Sequence, residues 1–303
     1  MGDLRLGQPW GRAQQWRNEA WFRSATLALA GTRGLPRRAL PGLGRALGTI
    51  AWATLVSWRR RAEDRLVRAY GEPPITSLDV FRGVGEDLAD AVRLLDERDR
   101  PESCLEIGED TEVVLRDALA SKRGVVFVTA HLGPMERMAA LVAAKGFRVA
   151  TLARESYDPR FTQLYERLRS GRGIRTIYRG KEGAERRIVR ALREGSLVGF
   201  PMDFAGRGMA CTRCSFLGSE EPLPLGPAAI ALRTGAPVVV GTPAPGEAGS
   251  LRVAVRALEV GAGWGEVELT RRLAAELEAR IRALPAHWPW MHSGISPTSE
   301  SSR

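Results

Sequence analysis

The chain has 303 residues, 44% of them hydrophobic, which is enough to bury a large core and excludes an intrinsically disordered protein. The formal net charge of +10 would suit a nucleic-acid-binding protein, but residues 1–70 hold thirteen Arg against four acidic residues, so the excess is amino-terminal. Because the remainder is nearly balanced and carries no zinc-finger, RNA-recognition or oligonucleotide-binding signature, we expect no nucleic-acid partner.

The amino-terminal third is predicted to be helical. Residues 1–18 are polar and are predicted to form a mobile N-terminus, and residues 19–97 a helical membrane-associating region. Two helices over 19–70 are broken at Gly34-Leu35-Pro36, and Thr76-Ser77 caps a further helix over roughly 78–97.

The apolar residues of this region suggest contact with a membrane surface. The longest charge-free run, Ala46 to Trp58, has thirteen residues, fewer than the ~18–20 that a spanning helix needs. No signal peptide is predicted, since the polar, Arg-bearing start lacks a continuous apolar core after it. Aromatic and aliphatic residues between arginines are typical of helices lying on an anionic membrane, although they also suit helices that cover a domain core. They are Trp21, Phe22, Leu27, Leu29, Leu40, Leu43, Leu47, Ile50, Trp52 and Leu55.

Residues 98–292 are predicted to form an α/β domain. After a helix at about 109–121, short apolar runs typical of buried strands alternate with helices. This alternation predicts a mixed, mainly parallel sheet flanked by helices. Strands are predicted at 124–130, 148–154, 174–178, 196–203, 237–243 and 251–260, and helices at 135–146, 159–170, 184–195, 226–236 and 270–285. Residues 293–303 are predicted to be a disordered tail.

His131, one of only three histidines, follows the strand predicted at 124–130. Ligands of open α/β sheets bind beyond the carboxyl ends of the strands. A tight turn at Gly133-Pro134 would let Glu136 hold one imidazole nitrogen while the other faces the cleft as a general base. Taken singly, the helix dipole explains Glu136, and a backbone hydrogen bond explains His131.

The chain offers this histidine no nucleophile of its own. It has no Gly-x-Ser-x-Gly motif and no Ser or Cys at a comparable strand end. A His–acid dyad of this kind suits activation of a substrate hydroxyl for attack on an activated acyl group.

The cysteines are not predicted to bind metal. Cys211 and Cys214 have the spacing of a metal knuckle, but neither a second pair nor a nearby histidine completes a site. We therefore predict two free thiols in a loop, no metal and a reducing, cytoplasmic compartment.

The stretch from His131 to Glu136, "HLGPME", resembles the His-x4-Glu/Asp motif of lysophospholipid-type acyltransferases. More narrowly, residues 40–292 resemble the bacterial late acyltransferases of lipid A biosynthesis and the related mycobacterial phosphatidylinositol-mannoside acyltransferases. Pro134-Met135 replaces the central Asn-Trp of that motif, and Ser293 replaces the Arg that follows the closing Trp-x-His. The further matching stretches are "SWRRRAEDRLVRAYGE", with Asp64 in place of Asn, "DPRFTQLYERLRSGRG", "ALREGSLVGFPMD", "CSFLGSEEPLPLGPAAIALRTGAPVVV" and "PAHWPWMH".

The resemblance extends the candidate site beyond the dyad. It implies substrate-binding or oxyanion-stabilising roles for Arg154 and Arg167, with Arg169 beside the latter, and a site role for Asp203. A guanidinium stabilises a developing oxyanion or a lipid phosphate because it stays charged and donates in a fork. His287 and His292, in the Trp-rich closing stretch, are interpreted as packing or interfacial residues.

The implied function is transfer of a fatty acyl chain from an acyl-carrier-protein or coenzyme A thioester to a hydroxyl of a glycolipid or lysolipid. The expected location is peripheral, on the anionic cytoplasmic face of the bacterial inner membrane, and no metal or redox cofactor is implied. Two alternatives stay open. One is a lipid or thioester hydrolase that uses the same dyad on water, and the other is a membrane-binding module with a degenerate site.

Overall fold

The computed structural model describes residues 8–32, 36–96, 98–206, 208–247 and 250–292. Its centre is a six-stranded sheet of β1 (Val125–Thr129), β2 (Val149–Ala153), β3 (Ile174–Tyr178), β4 (Leu197–Pro201), β7 (Val238–Pro245) and β8 (Leu251–Leu258). The strand order is β3-β2-β4-β1-β7-β8. Five strands run parallel and β8 pairs antiparallel with β7, which confirms the predicted mixed, mainly parallel sheet.

Alternate residues of the central strands enter two hydrophobic cores. Val126 and Val128 of β1 join the larger core, whereas Val125 and Phe127 join the smaller one. Because successive side chains of a strand point to opposite faces, the continuous apolar run of β1 means that helices cover both faces. These helices are α5 (Glu109–Ala120), α6 (Met135–Ala144), α7 (Pro159–Ser170), α8 (Ala184–Arg193), α9 (Gly226–Thr234) and α10 (Glu266–Ala283).

A two-stranded hairpin that the sequence pattern did not predict is formed by β5 (Cys211–Phe216) and β6 (Ser219–Pro224). Leu217 and Gly218 form its turn with positive φ angles of 51° and 75°, the conformation of a two-residue hairpin turn. The usual signal, Asn or Asp before Gly, is absent because leucine takes the first position. Cys211 and Cys214 therefore lie on a strand rather than in the predicted loop, and their odd spacing directs them to opposite faces.

Among the described residues, the amino-terminal region contains four α-helices, where the sequence predicted three. Helix α1 starts at Arg12, inside the segment predicted to be mobile, and residues 33–35, which hold most of the predicted break, lie outside the described residues. The second predicted helix is divided at Leu55. Thr76 caps the last helix as predicted, through a capping box with Asp79. The helices are α1 (Arg12–Thr32), α2 (Leu40–Thr54), α3 (Val56–Tyr70) and α4 (Ser77–Arg93).

Helix α2 packs on α4 through glycine. A Cβ atom on Gly48 would lie 2.1 Å from the carbonyl oxygen of Phe81, and one on Gly44 would lie 2.4 Å from that of Gly85. Only glycine permits this close backbone approach. The opposite face of α2 is exposed and apolar, so this helix both covers the domain and presents hydrophobic surface. Its exposed large residues are Leu43, Leu47 and Ile50.

None of the helices in the described part of the chain combines the length and hydropathy required to cross a bilayer. The side chains of Leu27 and Leu29, which were predicted to lie on the apolar surface of the first helix, lie outside the described residues.

Helix α3 is fixed to the rest of the fold by Arg65, which donates to the carbonyl oxygen of His292 at 2.6 Å and to Glu221 of β6 at 3.1 Å.

Candidate active site

His131 and Asp203 meet at the carboxyl edge of the sheet. Strands β1 and β4 are parallel neighbours, and Thr129 at the end of β1 pairs with Pro201 at the end of β4. His131 and Asp203 each lie two residues beyond the end of their strand, so they come together. The Asp203 Oδ2 atom accepts the backbone N–H of His131 at 2.9 Å, and Oδ1 lies 2.8 Å from His131 Nδ1. A carboxylate only accepts, so Nδ1 carries the hydrogen and Nε2 is left as the basic nitrogen.

This arrangement corrects the predicted role of Glu136. The carboxylate that holds the imidazole is Asp203, whereas Glu136 forms a two-pronged ion pair with Arg169 of α7, with oxygen–nitrogen distances of 3.0 and 2.5 Å. The physical reason is local: Pro134 stays outside the helix, so Glu136 is the second helical residue and its two oxygens are taken by the guanidinium. Glu136 still acts on His131 through its charge.

The two partners of the His131–Asp203 pair shift each other's protonation. Burial raises the pKa of Asp203, but the charge and hydrogen bonds of His131 and the hydrogen bond from Trp288 outweigh it, so this pKa is lowered. Desolvation lowers the pKa of His131, but the charge and hydrogen bond of Asp203, helped by Glu136, raise it above its ordinary value. The pair therefore favours a charged imidazolium beside a carboxylate, the state that a general base reaches after taking a proton.

Trp288 completes the support of this pair. Its side chain is fully buried, and Nε1 donates to Asp203 Oδ2 at 2.8 Å. The ring stacks on Phe204 at a centroid distance of 5.3 Å and meets the edge of Trp290 at 4.9 Å. The ring of Phe204 in turn lies against the imidazole of His131, with 5.3 Å between the ring centroids. Aromatic packing therefore positions His131, while the hydrogen bond from Trp288 positions Asp203.

The predicted arginines are placed differently. Arg154 follows β2 and borders the space around His131, and Arg169 is buried beneath it with Glu136. Arg167, on the same helix as Arg169, is exposed and lines neither of the clefts at His131. The structure thus brings Arg154 and Arg169, but not Arg167, to the candidate site.

A second histidine–aspartate pair lies in the same cleft, where the sequence analysis had expected packing. His287 Nδ1 is 3.0 Å from both carboxylate oxygens of Asp87 on α4, and its carbonyl oxygen accepts the N–H of Gly133. Gly133 has a φ of 58°, a conformation that glycine adopts readily, and this turn carries the chain from His131 into α6. His292 packs on Phe204 at 4.2 Å, in line with the predicted packing role.

Two clefts meet at His131. The first, with a volume of about 460 Å³, has Asp87, Glu136, Arg169 and His287 among its lining residues. The second, of about 700 Å³, has mostly apolar walls near His131 and three arginines among its lining residues. The imidazole is 46% exposed at their junction, so a group in either cleft can approach it. Both clefts are lined by His131, Leu152, Ala153, Arg154, Pro201 and Pro289, and the arginines of the second are Arg154, Arg179 and Arg233.

Sequence reasoning missed Trp288 and Asp87 as parts of this site. Asp87 is one of several acids in a helix, and nothing in its spacing marks it. Nor does the sequence mark Trp288, because its burial beside Asp203, which makes an N–H hydrogen bond expected, comes from the packing of the fold.

The model of the family described as bacterial lipid A biosynthesis acyltransferase matches residues 86–294, which is well over half of the chain. The matched range contains His131, Glu136, Asp203 and Trp288. No curated protein matches the chain significantly in sequence. By the extent of the family match, the chain belongs to the bacterial lipid A biosynthesis acyltransferase family.

Proposed function

We propose that this protein transfers a fatty acyl chain from a carrier-protein or coenzyme A thioester to a hydroxyl group of a glycolipid or lysolipid, with His131 as the general base. The observation that carries the proposal is the geometry at His131. Its Nδ1 is held by Asp203, and its half-exposed ring lies where two clefts meet. Two substrates can therefore reach one basic nitrogen.

The reaction follows from this geometry. His131 Nε2 takes the proton of the acceptor hydroxyl as its oxygen attacks the thioester carbonyl carbon. The tetrahedral intermediate collapses, the carbon–sulfur bond breaks, and the imidazolium returns its proton to the departing thiolate. Asp203 stabilises the imidazolium between these two transfers.

Arg169 and Arg154 are the proposed stabilisers of the developing oxyanion. Arg169 commits two nitrogens to Glu136 and keeps further N–H groups, while Arg154 borders both clefts. In this proposal Glu136 is a positioning residue, because it fixes the guanidinium and adds negative charge near His131.

The same proposal places the enzyme peripherally on the cytoplasmic face of a bacterial inner membrane. Its support is the exposed apolar face of α2, with Leu47 53% and Ile50 57% exposed, together with Trp21 of α1 and Trp58 of α3. Such a face gains affinity from apolar burial, and nearby arginines add attraction to anionic lipids. A bilayer-embedded acceptor presents its hydroxyl at that interface.

The catalytic test compares wild type with His131→Ala, using a palmitoyl thioester donor with and without acceptor lipid. We expect acceptor-dependent transfer by wild type and a loss of roughly 10²–10⁴-fold in the variant. A thermal unfolding transition like that of wild type serves as the control that the variant is folded. Equal release of free fatty acid with and without acceptor would show a hydrolase instead. Equal transfer by wild type and His131→Ala would refute the role of His131 as general base.

The membrane test is co-sedimentation with anionic and neutral vesicles over a salt series. Leu47→Gln/Ile50→Gln should weaken binding, whereas the control Val113→Gln/Val267→Gln, at exposed positions on α5 and α10, should not. Binding that is indifferent to both the α2 substitutions and the lipid charge would exclude this surface.

A further inference from the structure

Helix α8 carries a concentrated basic surface that the proposed chemistry does not use. Ile188, Ala191 and Leu192 are buried and fix the helix against the core. Its four arginines face outward, and residues 179–193 contain six basic residues against two acidic ones. The four exposed arginines are Arg186, Arg187, Arg190 and Arg193.

Ion pairs among the described residues leave most of this charge unneutralised. Arg190 pairs with Glu194 at 2.9 Å. For Arg186, Arg187 and Arg193, no ion pair occurs within the part of the chain that the structure describes. Four like charges on consecutive turns repel one another, so the arrangement favours an external anionic partner.

The basic surface continues into the second cleft. Arg233 pairs with Glu185 of α8, and both line that cleft together with His131. Arg233 also borders the shallow basic depression that contains Arg186, Arg190 and Arg193. One continuous route therefore connects the exposed arginines with the base.

The shape of the surface selects among anionic partners. Arg186 and Arg193 are separated by about 10 Å along the helix axis, and both border the open, shallow depression. A row of carboxylates on another protein fits a long, open basic surface of this kind, whereas small ligands bind in deeper pockets that enclose most of their surface. A membrane-surface helix needs an apolar face to insert, but that of α8 is buried in the core.

We propose that α8 is the docking surface for an acidic acyl carrier protein, whose pantetheine thioester enters the second cleft and reaches His131. This inference rests on the proposed acyl transfer and adds the partner and its route. The arginines guide and hold the carrier by charge, so they act mainly on association rather than on the chemical step.

The test compares the double reversal Arg186→Glu/Arg193→Glu with the control Arg252→Glu/Arg271→Glu. The control changes the charge equally at exposed positions that line neither cleft. With palmitoyl-carrier protein as donor, kcat/KM should fall roughly tenfold or more in the α8 variant at low salt and little in the control. With palmitoyl-coenzyme A, the α8 variant should change less than about twofold.

Binding of fluorescently labelled holo-carrier protein, measured by anisotropy, tests docking separately from turnover. If transfer fails in every assay but the labelled carrier still binds wild type and not the α8 variant, docking stands and the proposed reaction falls. Equal losses with both donors would overturn the proposal in favour of phosphate recognition. Loss of vesicle binding alone, or no change at all, would overturn it as well.

Discussion

The two histidine–aspartate pairs at the first cleft contain the same groups, but the pKa values of their carboxyl groups are shifted in opposite directions. In each, a largely buried aspartate contacts a histidine Nδ1. Burial raises the pKa of both carboxyl groups, yet the pKa of Asp203 ends below its ordinary value while that of Asp87 rises to about 6. Burial alone therefore does not set the protonation of these acids.

The difference lies in the neighbours of each carboxylate. Asp203 receives hydrogen bonds from the backbone and ring of His131 and from Trp288. Asp87 has the ring of His287 but also lies near Asp90 and Glu86, whose charges raise its pKa further. Donors stabilise a carboxylate, and neighbouring acids destabilise it. Asp203 is therefore held in its charged form, whereas Asp87 changes its protonation state at about pH 6.

The largest effect is expected from Asp203→Asn. Without the carboxylate, Nδ1 loses its acceptor and the imidazolium its counter-charge, so kcat should fall roughly 10²–10⁴-fold. Asp203 raises the pKa of His131 above its ordinary value of 6.5, and the proposed base works only when neutral, so wild-type activity should rise as the pH passes above that value. In the variant this rise should move to lower pH. The measurement is the pH dependence of kcat/KM.

The matched substitution Asp87→Asn serves as the control for that experiment. It removes the carboxylate of the other histidine–aspartate pair, and we expect kcat/KM to fall less than about tenfold. The rise of activity with pH should stay where it is in wild type. If both variants lost activity equally, the comparison between the pairs would be wrong and Asp87 would share the work of Asp203.

An intermediate effect is expected from Trp288→Phe. The substitution keeps an aromatic ring against Phe204 but removes the Nε1–H that donates to Asp203. The pKa of Asp203 should rise, and the lost charge-assisted hydrogen bond should lower the free energy of unfolding by about 1.5–3 kcal/mol. Activity should fall roughly tenfold. Chemical denaturation and pH–rate profiles measure the two effects, and an unchanged profile would show that the backbone and imidazole donors suffice.

The sequence predicted the strands well because continuous apolar runs such as residues 124–130 have few other interpretations. It placed His131 at a strand end but assigned its partner wrongly. The nearest acid in sequence was Glu136, whereas the nearest in space is Asp203, 72 residues later. That proximity depends on β4 inserting between β2 and β1, an order that periodicity does not reveal.

The remaining errors have similar causes. The hairpin was missed because Leu217 occupies a turn position usually held by Asn or Asp. The sequence assigned Arg167 and Arg169 the same role, because which of the two points into the site depends on how α7 packs against α6. Local pattern predicts elements, and the packing between elements decides which side chains meet.

The smallest effect on catalysis, and the clearest on stability, is expected from the second pair. A carboxyl group whose folded pKa is raised contributes stability that is fully present below its unfolded pKa of about 4 and lost as pH rises through about 6. The pKa of His287 is raised as well, because Asp87 outweighs its burial, so its contribution is lost in the same direction above pH 6.5. Wild type should therefore lose roughly 2–3 kcal/mol relative to Asp87→Asn between pH 4 and pH 8. Asparagine resembles the protonated acid and does not titrate, which makes the difference between the two denaturation curves specific to this pair. Parallel curves across that range would mean that Asp87 is charged throughout, and the contrast with Asp203 would disappear.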